Sequence, residues 1–250
     1  MAPALRSEFK KLLTVRSAYF SSLLGIVIAG SISFYAGYSN HTAERTAQFF
    51  GNTINYMPAI ISIFAGIVLL LQFGHEYRYN TIIYTLTSSR SRSKVLLAKI
   101  AVAASYIFVY SLLLIAISFG LILAGVAIGG HTLPAQDFSL LHYLGKTVVY
   151  TEAYGLSALL FVSLIRNLQA SFVAFFIIPG TLEGLLGLLL RKNAVYMPYT
   201  ALSQVIAAPD APKNPPTGSL SPAKGLAVFL AYFLVAWLIS WYLFLRRDAN

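Results

Sequence analysis

Six apolar runs, each about as long as a membrane-spanning helix, divide this chain of 250 residues. A helix needs roughly 20 apolar residues to cross the hydrocarbon core of a bilayer. The runs cover residues 17–38, 54–73, 100–128, 147–165, 170–190 and 225–245. The composition agrees, because 58% of the residues are hydrophobic and 10% are charged, whereas soluble domains carry about 25% charged residues. The sequence therefore predicts an all-α integral membrane protein with six transmembrane helices in a single domain, residues 1–250.

Lysine and arginine residues predict the orientation of these helices. Twelve of them flank the two termini or lie in the gaps after the second and fourth runs, and six lie in the other gaps. Because positive residues are in excess on the cytoplasmic side, we expect a multi-pass protein of the plasma membrane with both termini in the cytoplasm. The net charge of +10 does not predict nucleic-acid binding here, since topology and anionic lipid explain basic residues between apolar runs.

Two segments outside the runs carry recognisable patterns. In residues 1–16, Leu5, Phe9, Leu12 and Leu13 form a helical stripe, which predicts a short helix lying in the membrane interface. A basic flank without structure of its own is the alternative. Residues 191–224 contain six of the ten prolines, so we expect an extracellular loop rather than a continuous helix.

The sequence lacks the patterns of a nucleotide-binding or catalytic protein. It has no G-x-x-x-x-G-K-[ST] phosphate loop, so the chain is not expected to bind ATP in the usual way. It has no cysteine and only four scattered histidines, which predict no metal site. No catalytic residues are apparent, so the chain is not expected to be an enzyme or to bind a cofactor.

The segment between the second and third runs carries a composite motif. From Phe73 to Ile100 the sequence reads FGHEYRYNTIIYTLTSSRSRSKVLLAKI. It resembles the membrane-spanning permease subunit of type-2 ATP-binding-cassette (ABC) exporters, which carry E-x-R-x-x-T-I-x-x-x-L after their second helix, then a turn with arginine and an A-K pair. The matching residues are Glu76, Arg78, Thr81, Ile82, Leu86, Arg92, Ala98 and Lys99. The family often has glycine at Asn80 and proline at Ser88 or Ser89.

This resemblance implies a role for residues 75–99. They would form a cytoplasmic coupling helix that docks in a separate ABC ATPase subunit, which binds ATP and Mg²⁺. Glu76, Arg78, Thr81, Ile82, Leu86 and Arg92 are the residues that the resemblance assigns to this ATPase coupling. A second copy of the permease, or a homologue, would complete the pathway. The alternative is a solvated basic loop that touches only lipid headgroups.

Two carboxylates lie inside apolar runs. Glu152 and Glu183 both fall in the outer half of their helices, where an ionisable group usually faces a cavity or a partner. Pro179 and Gly180 predict a break just before Glu183, which would place that acid at the start of a new half-helix. These four residues are candidates for the transport pathway or its gate. A purely structural acid, stabilised by a helix dipole or by Arg191, Lys192 or Lys146, is the alternative.

The predicted function is outward transport of a hydrophobic or amphiphilic substrate, driven by the separate ATPase. The substrate class follows only from the apolar helix faces and the 14% aromatic content. One alternative is a membrane anchor or assembly protein without a transport role. Another is an intramembrane lipid-modifying enzyme that uses Glu152 and Glu183.

Overall fold

Helices make up nearly all of the chain wherever its structure is described. The computed structural model describes residues 2–39, 43–87, 92–130, 140–206 and 220–246, and these contain no strand. Its α-helices are α1 (Ala2–Thr14), α2 (Arg16–Tyr38), α3 (Ala43–Arg78), α4 (Ile82–Thr87), α5 (Arg92–Ile128), α6 (Leu140–Ile165), α7 (Leu168–Phe176), α8 (Glu183–Leu190), α9 (Pro198–Ser203) and α10 (Pro222–Arg246). Six helical stretches are long and apolar enough to cross a membrane. The predicted all-α fold with six transmembrane helices is confirmed.

The third membrane helix begins earlier than the apolar pattern predicts. α5 begins at Arg92 and has 37 residues, although its first eight residues include Arg92, Lys94 and Lys99. Because Lys99 is charged, the apolar pattern places the start of the predicted run at residue 100. The helix accommodates Lys99 in its buried face because carboxylates from two other helices pair with it.

Close backbone contact joins α2 and α5 at one end of the bundle. A Cβ on Gly37 would collide with the carbonyl oxygen of Ile122, and one on Gly125 with that of Phe34. Lipid tails are as apolar as the helices themselves, so small residues that allow such close packing are a main source of helix association in membranes. Gly180 and Gly184, in the fifth membrane helix, meet no atom within 4 Å.

Hydroxyl groups add polar contacts between the membrane helices. Ser163 on α6 and Ser240 on α10 lie 2.6 Å apart, oxygen to oxygen, and both are buried. Ser33 on α2 and Ser118 on α5 both donate to the sulfur of Met57 on α3, each at 3.7 Å. These contacts give the buried serine hydroxyl groups hydrogen-bond partners inside the helix bundle.

The fifth membrane helix continues through its proline instead of breaking there. Residues Ile177–Leu182, which include Pro179 and Gly180, form a π-helical turn between α7 and α8. The Glu183 N–H donates to the carbonyl of Ile178, five residues earlier. A wider turn accommodates a proline ring that would clash with the carbonyl four residues before it. α8 begins at Glu183, as predicted, and Glu183 lies in its first turn, but the π-helical turn leads into α8 without the predicted break in the chain.

After α8 the chain folds back onto the bundle. A 3-10 helix, Arg191–Tyr196, leads into α9, whose Ala201 and Leu202 are fully buried. α10 approaches α9 closely, because a Cβ on Gly225 would meet the carbonyl oxygen of Ala201. This first part of the predicted loop is therefore helical and packed. Residues 207–219 of the loop lie outside the described residues.

Candidate functional site

α4 forms the short helix between the second and third membrane helices. The end of the bundle where α3 ends and α5 begins is called the proximal end below. Between α3 and α4 the chain turns at Asn80, whose φ of 55° lies in the left-handed region. Glycine adopts this region most readily, and asparagine is enriched there. Asparagine can therefore replace the glycine that is frequent at this position in the family that the sequence resembles. Ser88 and Ser89 lie outside the described residues.

The segment from Arg78 to Tyr84 presents a mixed basic and aromatic surface. Arg78, Thr81 and Ile83 are exposed, and Tyr79 and Tyr84 have 63% and 75% of their surface accessible. The sequence interpretation did not single out the two tyrosines. Exposed tyrosine and arginine side chains are enriched in protein interfaces.

Two of the predicted coupling residues face inward instead. Ile82 is 3% exposed and Glu76 is 6% exposed, so neither can form part of a contact surface in this arrangement. The resemblance assigns Ile82 to ATPase coupling, but its side chain packs α4 against the bundle and offers no apolar surface to a partner here. Leu86 lies in α4, and its side chain is outside the described residues.

Glu76 belongs to a closed ring of four ion pairs, called the ion ring below. The Lys11 Nζ lies 2.7 Å from Glu8 Oε1 and 2.7 Å from Glu76 Oε1. The Lys99 Nζ lies 3.2 Å from Glu8 Oε2 and 2.7 Å from Glu76 Oε2. Each carboxylate therefore receives both ammonium groups, one on each oxygen. The ring joins three helices, because Glu8 and Lys11 are on α1, Glu76 is on α3 and Lys99 is on α5.

The surroundings of the ion ring are largely closed to water. Glu8 is 2% exposed and Lys99 is 4% exposed, and the Lys99 ammonium lies 4.8 Å from the centre of the Phe73 ring. Burial alone would lower the pKa of Lys11, but Glu76 and Glu8 outweigh it and raise that pKa above its ordinary value of 10.5. Lys11 is therefore charged throughout the physiological pH range. Removing one member of a buried ion pair leaves an uncompensated charge, which is strongly destabilising.

Sequence reasoning found Glu76 and Lys99 but missed their partners on α1. A signal for one of them is present, since Glu8 is the only acidic residue among the first 43 and stands in a basic helix. Its pairing with Glu76 through Lys11 spans 65 residues of sequence, and no local pattern predicts a contact at that separation.

Two arginines hold the end of α10 at the proximal side of the bundle. Arg92, the first residue of α5, donates to the carbonyl of Leu245 at 3.2 Å. Arg166, in the turn between α6 and α7, donates to the carbonyl of Leu243 at 3.3 Å. The last carbonyls of a helix have no partner within it, and positive charge is favourable there. Arg92 thus links the start of α5 to the last membrane helix.

The acids at the opposite, distal end have different surroundings. The Glu183 carboxylate accepts the Tyr199 N–H at 2.9 Å and the Thr200 N–H at 2.8 Å. It also accepts the Thr200 hydroxyl at 2.9 Å, so it caps the start of α9 from another helix.

Glu152 on α6 is half-buried and makes no hydrogen bond or ion pair with any residue that the structure describes. Pro179 and Gly180 lie in the π-helical turn before Glu183.

Within the described ranges, no three histidine or acidic side chains come together as a metal site. The site described above consists of ion pairs, arginines and exposed tyrosines.

Comparison with known families decides the class of the protein. The family model described as ABC-2 family transporter protein matches residues 4–181, which include most of α1, the ion ring and α4. The chain belongs to the ABC-2 transporter family. The resemblance of residues 73–100 to a type-2 ABC permease subunit is thereby confirmed, and this permease is a multi-pass membrane protein. No curated protein matches the permease sequence.

Proposed function

We propose that this permease exports its substrate by responding, at its proximal end, to a separate cytoplasmic ABC ATPase. ATP and Mg²⁺ would bind to that ATPase, and hydrolysis would take place there rather than on this chain. The observation that carries the proposal is the ion ring behind α4. It connects the helices on both sides of the exposed surface that contains Arg78, Tyr79 and Tyr84.

The ring suggests how a push on α4 reaches the membrane helices. α4 is joined to the end of α3 and precedes the start of α5. Because Glu76 and Lys99 pair across those two ends and α1 closes the ring, we expect the three helices to move as one unit. Arg92 passes the same displacement to the end of α10. Small shifts at a packed interface commonly become rigid-body movements of this kind.

The membrane-facing surface supports a second permease copy and an apolar substrate. Exposed leucines cover α8 and α10, for example Leu188, Leu189 and Leu238. In a bilayer such faces contact lipid or a second copy, and two copies would enclose a pathway for a hydrophobic or amphiphilic substrate. The excess of basic residues at the proximal end supports a cytoplasmic location for this end and both termini in the plasma membrane.

Replacing the two exposed tyrosines tests this proposal. We expect Tyr79→Ala combined with Tyr84→Ala to weaken binding of the co-expressed ABC ATPase of the same transporter by about thirtyfold, since interface tyrosines often contribute 2 kcal/mol or more. Co-purification at graded ATPase concentrations measures the affinity. Tyr196→Ala is the matched control, because Tyr196 is 53% exposed but lies beyond α8 at the distal end.

Unchanged ATPase binding by the double variant would contradict the proposal and leave a membrane protein without ATPase coupling. A variant that no longer inserts or elutes as a single species is replaced by Tyr84→Ala alone, judged by the same affinity.

A further inference from the structure

We propose that a cleft at the distal end of the bundle binds an anionic phospholipid, with the headgroup at Lys146 and an acyl chain against the apolar walls. This distal cleft has a volume of about 540 Å³, and ligand pockets typically have volumes of about 300–1,000 Å³. It lies between α6, the turn after α9 and the start of α10, and its lining includes Leu141, Gly145, Lys146, Val149, Val205 and Leu226. The inference rests on the membrane-spanning fold and does not depend on the proposed ATPase partner.

The walls of the distal cleft are apolar and open to the outside of the bundle. Leu141 has 80% of its surface exposed, and Val149 has 39%. Val205 is buried, so it lies at the inner side of the cleft. A Cβ on Gly145 would meet no atom within 4 Å, so the glycine keeps the α6 wall of the cleft open. A mostly apolar cleft with one polar group is the usual form of a site for an amphiphilic ligand.

Lys146 is the only charged residue among those that line the distal cleft. It is half-buried, and it makes no ion pair with any residue that the structure describes. Glu152, the next acidic residue along α6, lies six positions further on and does not line the cleft. α10 begins at Pro222 in the cleft wall, and the start of a helix carries partial positive charge. The charge of the cleft therefore matches a negatively charged ligand.

The depth of the distal cleft in the membrane indicates a lipid. The membrane-length stretches Tyr143–Ile165 and Pro222–Arg246 both begin at its walls, so the cleft lies where hydrocarbon gives way to headgroups. A lysine at this depth extends its ammonium to the headgroups while its alkyl stem stays on apolar surface. A free phosphate ion would contact only the ammonium, whereas a phospholipid contacts the ammonium and the apolar walls together.

Fluorescence quenching at one labelled position tests the inference in the full-length permease. The chain has no cysteine, so Leu141→Cys at the rim of the distal cleft accepts a fluorescent label at that position alone. The labelled permease is reconstituted in phosphatidylcholine vesicles. Phosphatidylglycerol or phosphatidylcholine with the same nitroxide-labelled acyl chain is then added as the quencher. We expect the phosphatidylglycerol quencher to bind about fivefold more tightly, which is the contribution of one lysine near an anionic headgroup.

Two substitutions with matched controls separate the charge of the distal cleft from its shape. Lys146→Gln should make the two quenchers bind equally. Lys224→Gln should keep the preference, because Lys224 is an exposed lysine in the first turn of α10 that does not line the cleft. Gly145→Leu should fill the cleft and lower quenching by both lipids. Gly120→Leu should leave quenching unchanged, because a Cβ on Gly120 of α5 also meets no atom but lies outside the cleft.

Four results would overturn the inference. Equal binding of the two quenchers to the parent permease would show that the lipid charge is not recognised. A preference that survives in Lys146→Gln would assign the recognition to another cation. Loss of the preference in millimolar inorganic phosphate at constant ionic strength would assign Lys146 to free phosphate. Quenching by neither lipid would assign the cleft to another occupant, such as a second permease copy. If Gly145→Leu does not insert, Ala223→Leu replaces it, because Ala223 is an exposed residue that lines the same cleft.

Discussion

Lys99 is a buried cation on a membrane helix, where its charge needs partners. Its ammonium is buried with the carboxylates of Glu8 and Glu76, and each carboxylate also meets Lys11. The two positive and two negative charges of the ion ring therefore cancel. Because the pKa of Lys11 is raised in the folded state, its contribution to stability is fully present below pH 10.5 and is lost only at higher pH, as the folded-state pKa is passed.

Replacing Lys99 should therefore be costly. We expect Lys99→Met to lower the free energy of unfolding by about 3–5 kcal/mol, since two buried carboxylates would then share only Lys11. Lys94→Met is the control, because Lys94 is an exposed lysine one and a half turns earlier on the same helix and should change the free energy by less than about 0.5 kcal/mol. Denaturant unfolding in detergent, followed by tryptophan fluorescence, measures both. An equal change in the free energy of unfolding for the two variants would contradict the claim that the ion ring stabilises the fold.

Among the secondary-structure elements, α9 depends on a contact from outside itself. It has six residues, too few to be stable alone, and its first N–H groups are satisfied by Glu183 of α8. Two tyrosines also pack at its base, with the ring centres of Tyr154 and Tyr199 separated by 5.3 Å. Glu183 thus has a positioning role at the distal end whatever its part in transport.

Removal of this cap should loosen α9. In Glu183→Ala we expect the Tyr199 and Thr200 amides to exchange with deuterium at least about tenfold faster, since each loses a hydrogen bond to a charged acceptor. Hydrogen–deuterium exchange of the peptide that contains residues 198–203 reports this. Glu152→Ala serves as the control and should leave that peptide protected. Unchanged exchange in Glu183→Ala would show that packing alone holds α9.

The elements differ in how far the sequence predicts them. The six membrane helices and the helical N-terminus follow from local apolar patterns, and structure and prediction agree on their number and type. The π-helical turn at Pro179 does not follow, because a proline inside an apolar run equally indicates a break. The ion ring and the Glu183 cap join residues 65 and 16 positions apart, so they depend on packing that no local pattern encodes.

At the scale of the whole molecule, polar contacts collect at the proximal end. The ion ring unites α1, α3 and α5, and Arg92 and Arg166 attach α10 to α5 and to the α6–α7 turn. The distal end instead relies on close backbone packing at Gly37 and Gly125 and on the capped α9. A force applied to α4 would therefore reach four helix ends at once. This arrangement fits a permease driven from its proximal side.

Photo-crosslinking tests the central claim that an ABC ATPase subunit contacts α4. Benzoylphenylalanine in place of Tyr84, which is 75% exposed on α4, should crosslink to the co-expressed ATPase in intact membranes. The same group in place of Tyr196, which is 53% exposed at the distal end, should not crosslink to it. The account predicts a permease–ATPase adduct from the Tyr84 position alone. Absence of that adduct, or equal yields from the two positions, would contradict it.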